Sequence, residues 1–193
     1  MSAILKSFIN EADYLSGELS NEIKHEYIDG EVYAMSGASG NHNRIAGNCF
    51  AKLHTHLINT PCEPFMSDMK VKIDTRYFYP DVMVLCNNQT TDYYSEQPLI
   101  IIEVLSKSTR RIDETIKRES YQSIASLQSY ILIEQDFVDI EVCNRIDNWR
   151  SKHYFLGDEI TLASIELTFS VADIYYRVIN DDMLALINNQ ENL

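Results

Sequence analysis

The chain has 193 residues, 45% of them hydrophobic and 23% charged. That is the composition of one globular unit able to bury a core, so a single domain over 1–193 is expected. A formal charge of -13 excludes a histone-like binder held to nucleic acid by bulk charge, yet leaves room for an enzyme whose basic residues gather round one cleft. The opening MSAILKSFINEADYL has neither a basic lead nor a long apolar stretch, and no segment approaches membrane-spanning length. A cytoplasmic protein without membrane contact is expected.

In chain order, a helix is predicted from about Ile4 to Tyr14. HEYIDGEVYAMSG then reads as a β-hairpin, two alternating arms around Asp29-Gly30. From His42, the residues Ile45, Ala46, Cys49, Phe50, Leu53, Leu57 and Ile58 recur at helical spacing. That helix should end near Asn59, because Pro61 follows. DMKVKID, YPDVMVLC and LIIIEVLS form three successive strands, and a second long helix is expected from about Ile112 to Ser126. YILIEQ, DIEVCNR and HYFLG are further strands, and VADIYYRVI a closing helix. The order describes an α/β fold with a mixed central β-sheet flanked by helices. Cys49, Cys62, Cys86 and Cys143 are scattered with no CxxC pair, so neither a disulfide nor a zinc knot is expected. Cys49 and Cys86 read as small core residues.

Two carboxylates stand out. The run Leu99–Leu105 is aliphatic except for Glu103, and an unpaired acid there would cost several kcal/mol or protonate. In the preceding strand Asp81, Met83 and Leu85 share one face, while Leu99, Ile101, Glu103 and Leu105 share a face of the next. In suitable register Asp81 and Glu103 converge, and a hard divalent cation such as magnesium between them would relieve their repulsion. The bland alternative is a local hydrogen bond or ion pair for each acid. On the following helix Ile112, Ile116, Ile124 and Leu127 define an inward arc. Asp113, Lys117 and Tyr121, spaced i, i+4, i+8, form a polar stripe beside it. Lys117 falls at the margin of that arc, exposed enough that its removal should cost only tenths of a kcal/mol. Residues 104–118 hold Lys107, Arg110, Arg111, Lys117 and Arg118 against Asp113 and Glu114, a basic segment suited to a polyanion. An ordinary solvated helix start has the same pattern.

Taken together, HEYIDGEVYAMSGASGNHNRI, FMSDMKVKI, YFYPDVMVLC, PLIIIEVLSKSTRRIDETIKRESYQSIASLQSYILIEQD and VDIEVCNR follow the pattern of a known family in order and spacing. Over roughly Lys24 to Trp149 the chain resembles the Uma-two restriction-endonuclease family, which is similar to the PD-(D/E)XK nucleases. The resemblance implies a restriction-endonuclease-like core in which Asp81 and Glu103, helped by the Val104 carbonyl, hold Mg2+, or Mn2+ in its place. It also implies a double-stranded DNA substrate and a homodimer that cuts both strands. The wider superfamily carries Lys two residues after the second acid, where this chain has Leu105, so the resemblance moves that role to Lys117. Glu31 and His42 match positions expected to border the site, with Asp113 and Tyr121 in support. Lys107, Arg110 and Arg111 are the expected nucleic-acid contacts. A catalytically silent nucleic-acid or protein binding module is the competing expectation, favoured by the acidic charge. A carboxylate-pair glycosidase fits less well beside a lysine and a basic segment.

Overall fold

The structure, a computed structural model, describes residues 8–35, 37–87, 91 and 93–191. Helix α1 spans Glu11–Glu18, opened by the Asn10 side chain, which accepts from the Asp13 N–H. The predicted start of this helix at Ile4 lies outside the described residues. Strands β1 (His25–Ile28) and β2 (Glu31–Ala34) form the expected hairpin. Its turn residues Asp29 and Gly30 both have positive φ, 49° and 95°, the conformation a two-residue turn requires and an Asp-Gly pair tolerates. Helix α2 runs Gly40–Leu57 with Ser39 as its N-cap. It ends ahead of Asn59, which turns the chain at φ 68°.

Next come β3 (Cys62–Met66), β4 (Lys70–Ile73), β5 (Arg76–Phe78), β6 (Val82–Cys86), β7 (Tyr94–Ser95) and β8 (Ile100–Leu105). The connection from β8 is a continuous helical rod in three parts. These are α3 (Arg110–Ile112), a π turn (Asp113–Lys117) and α4 (Arg118–Ser123). Strands β9 (Ser129–Glu134), β10 (Ile140–Asn144), β11 (Ser151–Tyr154), β12 (Glu159–Leu162) and β13 (Leu167–Ser170) follow. The predicted closing helix VADIYYRVI is a single turn, α5 (Val171–Ile174), and a longer α6 spans Asp181–Glu191. No helix among the described residues is long and apolar enough to cross a membrane.

Two larger sheets result. One has the order β2-β1-β5-β4-β7, the other β11-β10-β9-β8-β6-β3, and β12-β13 form a separate ribbon. In the six-stranded sheet only β8 and β9 run parallel, joined by the helical rod, so the sheet is mixed. Its two faces are both covered. Val82, Val84, Ile100, Ile102 and Val104 pack with Ile45, Cys49 and Leu53 of α2. Met83, Leu85, Ile101 and Leu105 pack with Tyr121 of the rod, with Ile124 and Leu127 just after it, and with Val71 and Phe78 of the other sheet. Burial on both sides explains the near-continuous aliphatic run of β8.

One expectation is corrected. Cys62 and Cys86 form a disulfide, and only Cys49 and Cys143 are free, both buried. The reason is register: β3 pairs antiparallel with β6, and Cys62 lies directly opposite Cys86. Without β3, which CEPFM does not announce because Pro64 weakens its strand signal, that juxtaposition is invisible in the sequence. The bridge closes a separation of 24 residues, so its reduction should lower stability by about 3 kcal/mol. Urea denaturation with and without reductant measures this. Thiol titration of the unfolded chain should find two thiols before reduction and four after; four at the outset would refute the bridge.

Candidate active site

Asp81 and Glu103 meet. The β6–β8 register sets Val82 opposite Ile102 and Met83 opposite Ile101, so Asp81, one residue before β6, falls opposite Glu103. The Asp81 N–H donates to Glu103 Oε2 (3.2 Å), and the Val104 N–H donates to Asp81 Oδ2 (2.8 Å). Pro80 ends the approach to the strand, so the chain opens at Asp81 and its side chain stays 15% exposed. Glu103 is buried in the strand interior.

Lys117 fills the space above Glu103. Its ammonium lies 2.7 Å from Glu26 Oε1, 3.1 Å from Glu103 Oε1 and 3.1 Å from Asp113 Oδ1. The Tyr121 hydroxyl also donates to Glu103 Oε1, at 3.0 Å. The walls are aromatic: Phe78 lies 5.8 Å from the ammonium, and Tyr121 meets Phe78 and Tyr130 edge-on. His42, in the first turn of α2, brings Nε2 to 3.1 Å from Asp81 Oδ2. Four carboxylates therefore surround one ammonium and one imidazole. Burial, reinforced by Asp113, Asp81 and Glu26, holds the Glu103 carboxyl well above the usual range, despite Lys117. Burial works against the Lys117 charge, but Glu103 and Glu26 outweigh it and keep the ammonium pKa well above the ordinary lysine value. Burial likewise opposes the His42 charge, and Asp81 outweighs it, raising the imidazole pKa.

The site departs from expectation in two respects. Lys117 is not a marginal surface lysine: it is only 4% exposed, whereas Ile116, placed in the inward arc, is 38% exposed. The π turn is the cause. Along an α-helix each i, i+4 step overshoots a full turn by ~40°, which would carry Tyr121 well round from Asp113. The wider turn over Asp113–Lys117 undershoots instead, so the two steps offset and Asp113, Lys117 and Tyr121 all face inward. The Tyr130 hydroxyl donates to the Asp113 carbonyl (3.0 Å) within this turn. Secondly, the acid of the hairpin that touches Lys117 is Glu26, which the sequence reading missed. The same signal that exposed Glu103, a carboxylate flanked by apolar strand residues, is present in HEYI. Glu31 accepts from the Tyr33 hydroxyl (2.5 Å).

Of the basic segment, Lys107 and Arg111 are exposed. Arg110 is engaged through a two-pronged contact with Glu134 and a third with Glu114 (3.3 Å). The hairpin is tied to the rod by Arg76, whose guanidinium holds Asp29 at 2.7 and 3.0 Å and Ser120 Oγ at 2.8 Å. Among the described residues no three His, Cys, Asp or Glu side chains are grouped to hold a metal ion; Lys117 occupies the centre of Glu26, Glu103 and Asp113.

Two outcomes follow from this packing. Lys117→Met should cost about 3–5 kcal/mol, because it strands buried carboxylates, and less at lower pH, where Glu103, its pKa already raised, takes up its proton. Urea midpoints of the two proteins decide it; a loss of only tenths would mean the ammonium is not needed to hold these acids. For Glu103 the native state binds its proton more tightly than the unfolded chain does. Stability should therefore fall as pH rises from about 4.5 through the native titration of Glu103. Glu103→Gln should flatten that slope, and an unchanged slope in the variant would assign it to other groups.

A crystal structure of a putative nuclease belonging to DUF820 from Anabaena variabilis superposes with a TM-score of 0.76 at 17% identity, covering 89% of this chain and 99% of that one. The fold is thus the restriction-endonuclease-like α/β fold. Residues 12–172 match the family model Uma2, described as "Putative restriction endonuclease", and the chain belongs to that family. Two uncharacterised proteins of Synechocystis sp. are similar. One is 35% identical over 171 residues, 86% of this chain and 90% of its own length. The other is 34% identical over 171 residues, 84% of this chain and 93% of its own.

Proposed function

We propose that the protein is a metal-dependent endonuclease that hydrolyses phosphodiester bonds of double-stranded DNA, with Mg2+, or Mn2+ in its place. The observation that carries the reading is the convergence of Asp81 and Glu103 at the open end of β6, with a lysine ammonium against the second acid. The donor set fits a hard cation. It offers only carboxylate and carbonyl oxygens, and the cluster carries more negative than positive charge. Mg2+ commonly binds through one or two carboxylates and keeps several waters, so a set of three protein acids is not required. Asp81, Glu103 and the Val104 carbonyl would hold it. Bound there, such a cation supplies charge stabilisation at the scissile phosphate and lowers the pKa of a water.

The chain's own residues do the rest. Glu103 stands on a strand buried on both faces, so its carboxylate has little freedom to move. Lys117, pinned by Glu26 and Asp113 against Glu103, orients the attacking water or offsets charge developing on phosphorus. His42 holds Asp81 from the α2 side, and Tyr121 donates to the same Glu103 oxygen as Lys117. Lys107 and Arg111, exposed on the loop and rod beside the site, meet the phosphate backbone, and a homodimer presents two such sites to the two strands.

Plasmid cleavage tests this reading. Cutting should require Mg2+ or Mn2+, cease in EDTA, and fall about 10²-fold or more in both Asp81→Asn and Glu103→Gln. Undiminished cleavage in either variant would remove the acid from the chemistry. DNA binding without any cleavage, under every metal tried, would make the protein a silent binding module.

A further inference from the structure

Across the five-stranded sheet from this cluster lies a lysine, Lys70, that makes no ion pair among the described residues. Lys70 begins β4, and the β4–β5 register, Val71 opposite Phe78, carries on to set Lys70 beside Tyr79. The side chain is 5% exposed. Its ammonium stands 5.0 Å from the Tyr79 ring centre and 6.0 Å from that of Tyr93, and Tyr93 is held there by the Lys70 N–H donating to its carbonyl (3.3 Å). The acid that acts on Lys70 through space is Glu18. That carboxylate already takes the Tyr79 hydroxyl (3.1 Å), the His25 N–H (2.7 Å) and His25 Nδ1 (3.3 Å). Burial, only partly countered by Glu18, lowers the Lys70 pKa. An ammonium held against ring faces with no acceptor of its own is left partly uncompensated; a methionine would fill the same space at less cost.

A short chain of contacts leads from these rings to Asp81. Lys24 sets a second ammonium 5.8 Å from the same Tyr79 ring. Lys24 is paired with Asp68 and donates to the Ser67 carbonyl at 3.3 Å. The Ser67 N–H in turn donates to the Asp81 carbonyl (3.3 Å). Tyr79 is two residues from Asp81, about 7 Å of extended chain, comparable with the step between neighbouring phosphates of one strand.

We propose that Lys70, boxed by Tyr79 and Tyr93 and assisted by Lys24, is a subsite for a backbone phosphate of the nucleic-acid strand near the phosphate at Asp81 and Glu103. A phosphate oxygen supplies the acceptor that Lys70 lacks, and the 53% exposed Tyr93 offers a ring face to the neighbouring base. The assignment rests on the nuclease reading and adds the place where the strand is gripped beside the cut.

Anisotropy of a short labelled DNA duplex in EDTA, titrated over a range of salt, tests it against Lys70→Met. The variant should bind roughly fivefold more weakly and lose about one unit of salt slope. Duplexes carrying one methylphosphonate at successive positions should show a single position that weakens the wild type and leaves Lys70→Met unaffected. Should Lys70→Met not fold, Lys24→Gln and Tyr93→Ala carry the test: the first loses about one unit of slope, the second loses affinity at constant slope. If the wild type binds and cuts DNA while these variants keep its affinity and slope, the subsite is refuted and the nuclease reading stands. If the wild type neither binds nor cuts, both fall.

Discussion

One ammonium joins three separately folded pieces of this protein. Glu26 belongs to the hairpin of the five-stranded sheet, Glu103 to the centre of the six-stranded sheet, and Asp113 to the helical rod between β8 and β9. All three reach Lys117. Removing a charge from water costs several kcal/mol, which is recovered only where partners are close and well placed. Hairpin, sheet and rod are thus tied to one relative placement. If any of them shifts by an ångström, an acid is left facing aromatic rings.

The surrounding packing gives that placement its stiffness. The six-stranded sheet is covered by α2 on one face and by the rod and the smaller sheet on the other. The Arg76 guanidinium, shared between Asp29 and Ser120, sets the distance from hairpin turn to rod from outside the cluster. Asp81 is the exception by position. Standing at the entrance of its strand, it carries acidic charge to the surface while Glu103 remains sealed behind it. A gradient from wet to dry along two adjacent acids suits chemistry that must admit a phosphate and keep the supporting groups still.

Much of this was legible in the residues. Glu103 declared itself because a carboxylate in an aliphatic strand needs a partner, and the alternation of YPDVMVLC and LIIIEVLS gave each acid its face of a strand, with convergence left to the register. The hairpin followed from Asp29-Gly30, and α2 from its apolar spacing and the proline after it. What escaped depended on contacts between distant segments. Glu26 looks like any hairpin acid until the rod is docked against it. Cys62 and Cys86 become partners only once β3 is known to exist. Ile116 and Lys117 exchanged sides because a helical wheel assumes one pitch throughout, and five residues of this rod do not share it. The Lys70 pocket is built by cross-strand neighbours, which no single stretch of sequence displays.

The π turn also carries a record of length. A helix with i to i+5 bonds holds one residue more than an α-helix needs to cover the same distance. Losing one residue between Asp113 and Lys117 would let the rod relax into an unbroken α-helix, which its local backbone would favour. Because the wider turn already takes up the extra residue, its loss would leave the two halves of the rod nearly in their present orientation. Asp113 and Lys117 would become i, i+3 neighbours, still on one face of the helix. Spacing in this segment is therefore under a constraint distinct from residue identity. A residue can be lost here by closing the turn, but one more would rotate the part of the rod before it by ~100° and carry Asp113 away from Lys117.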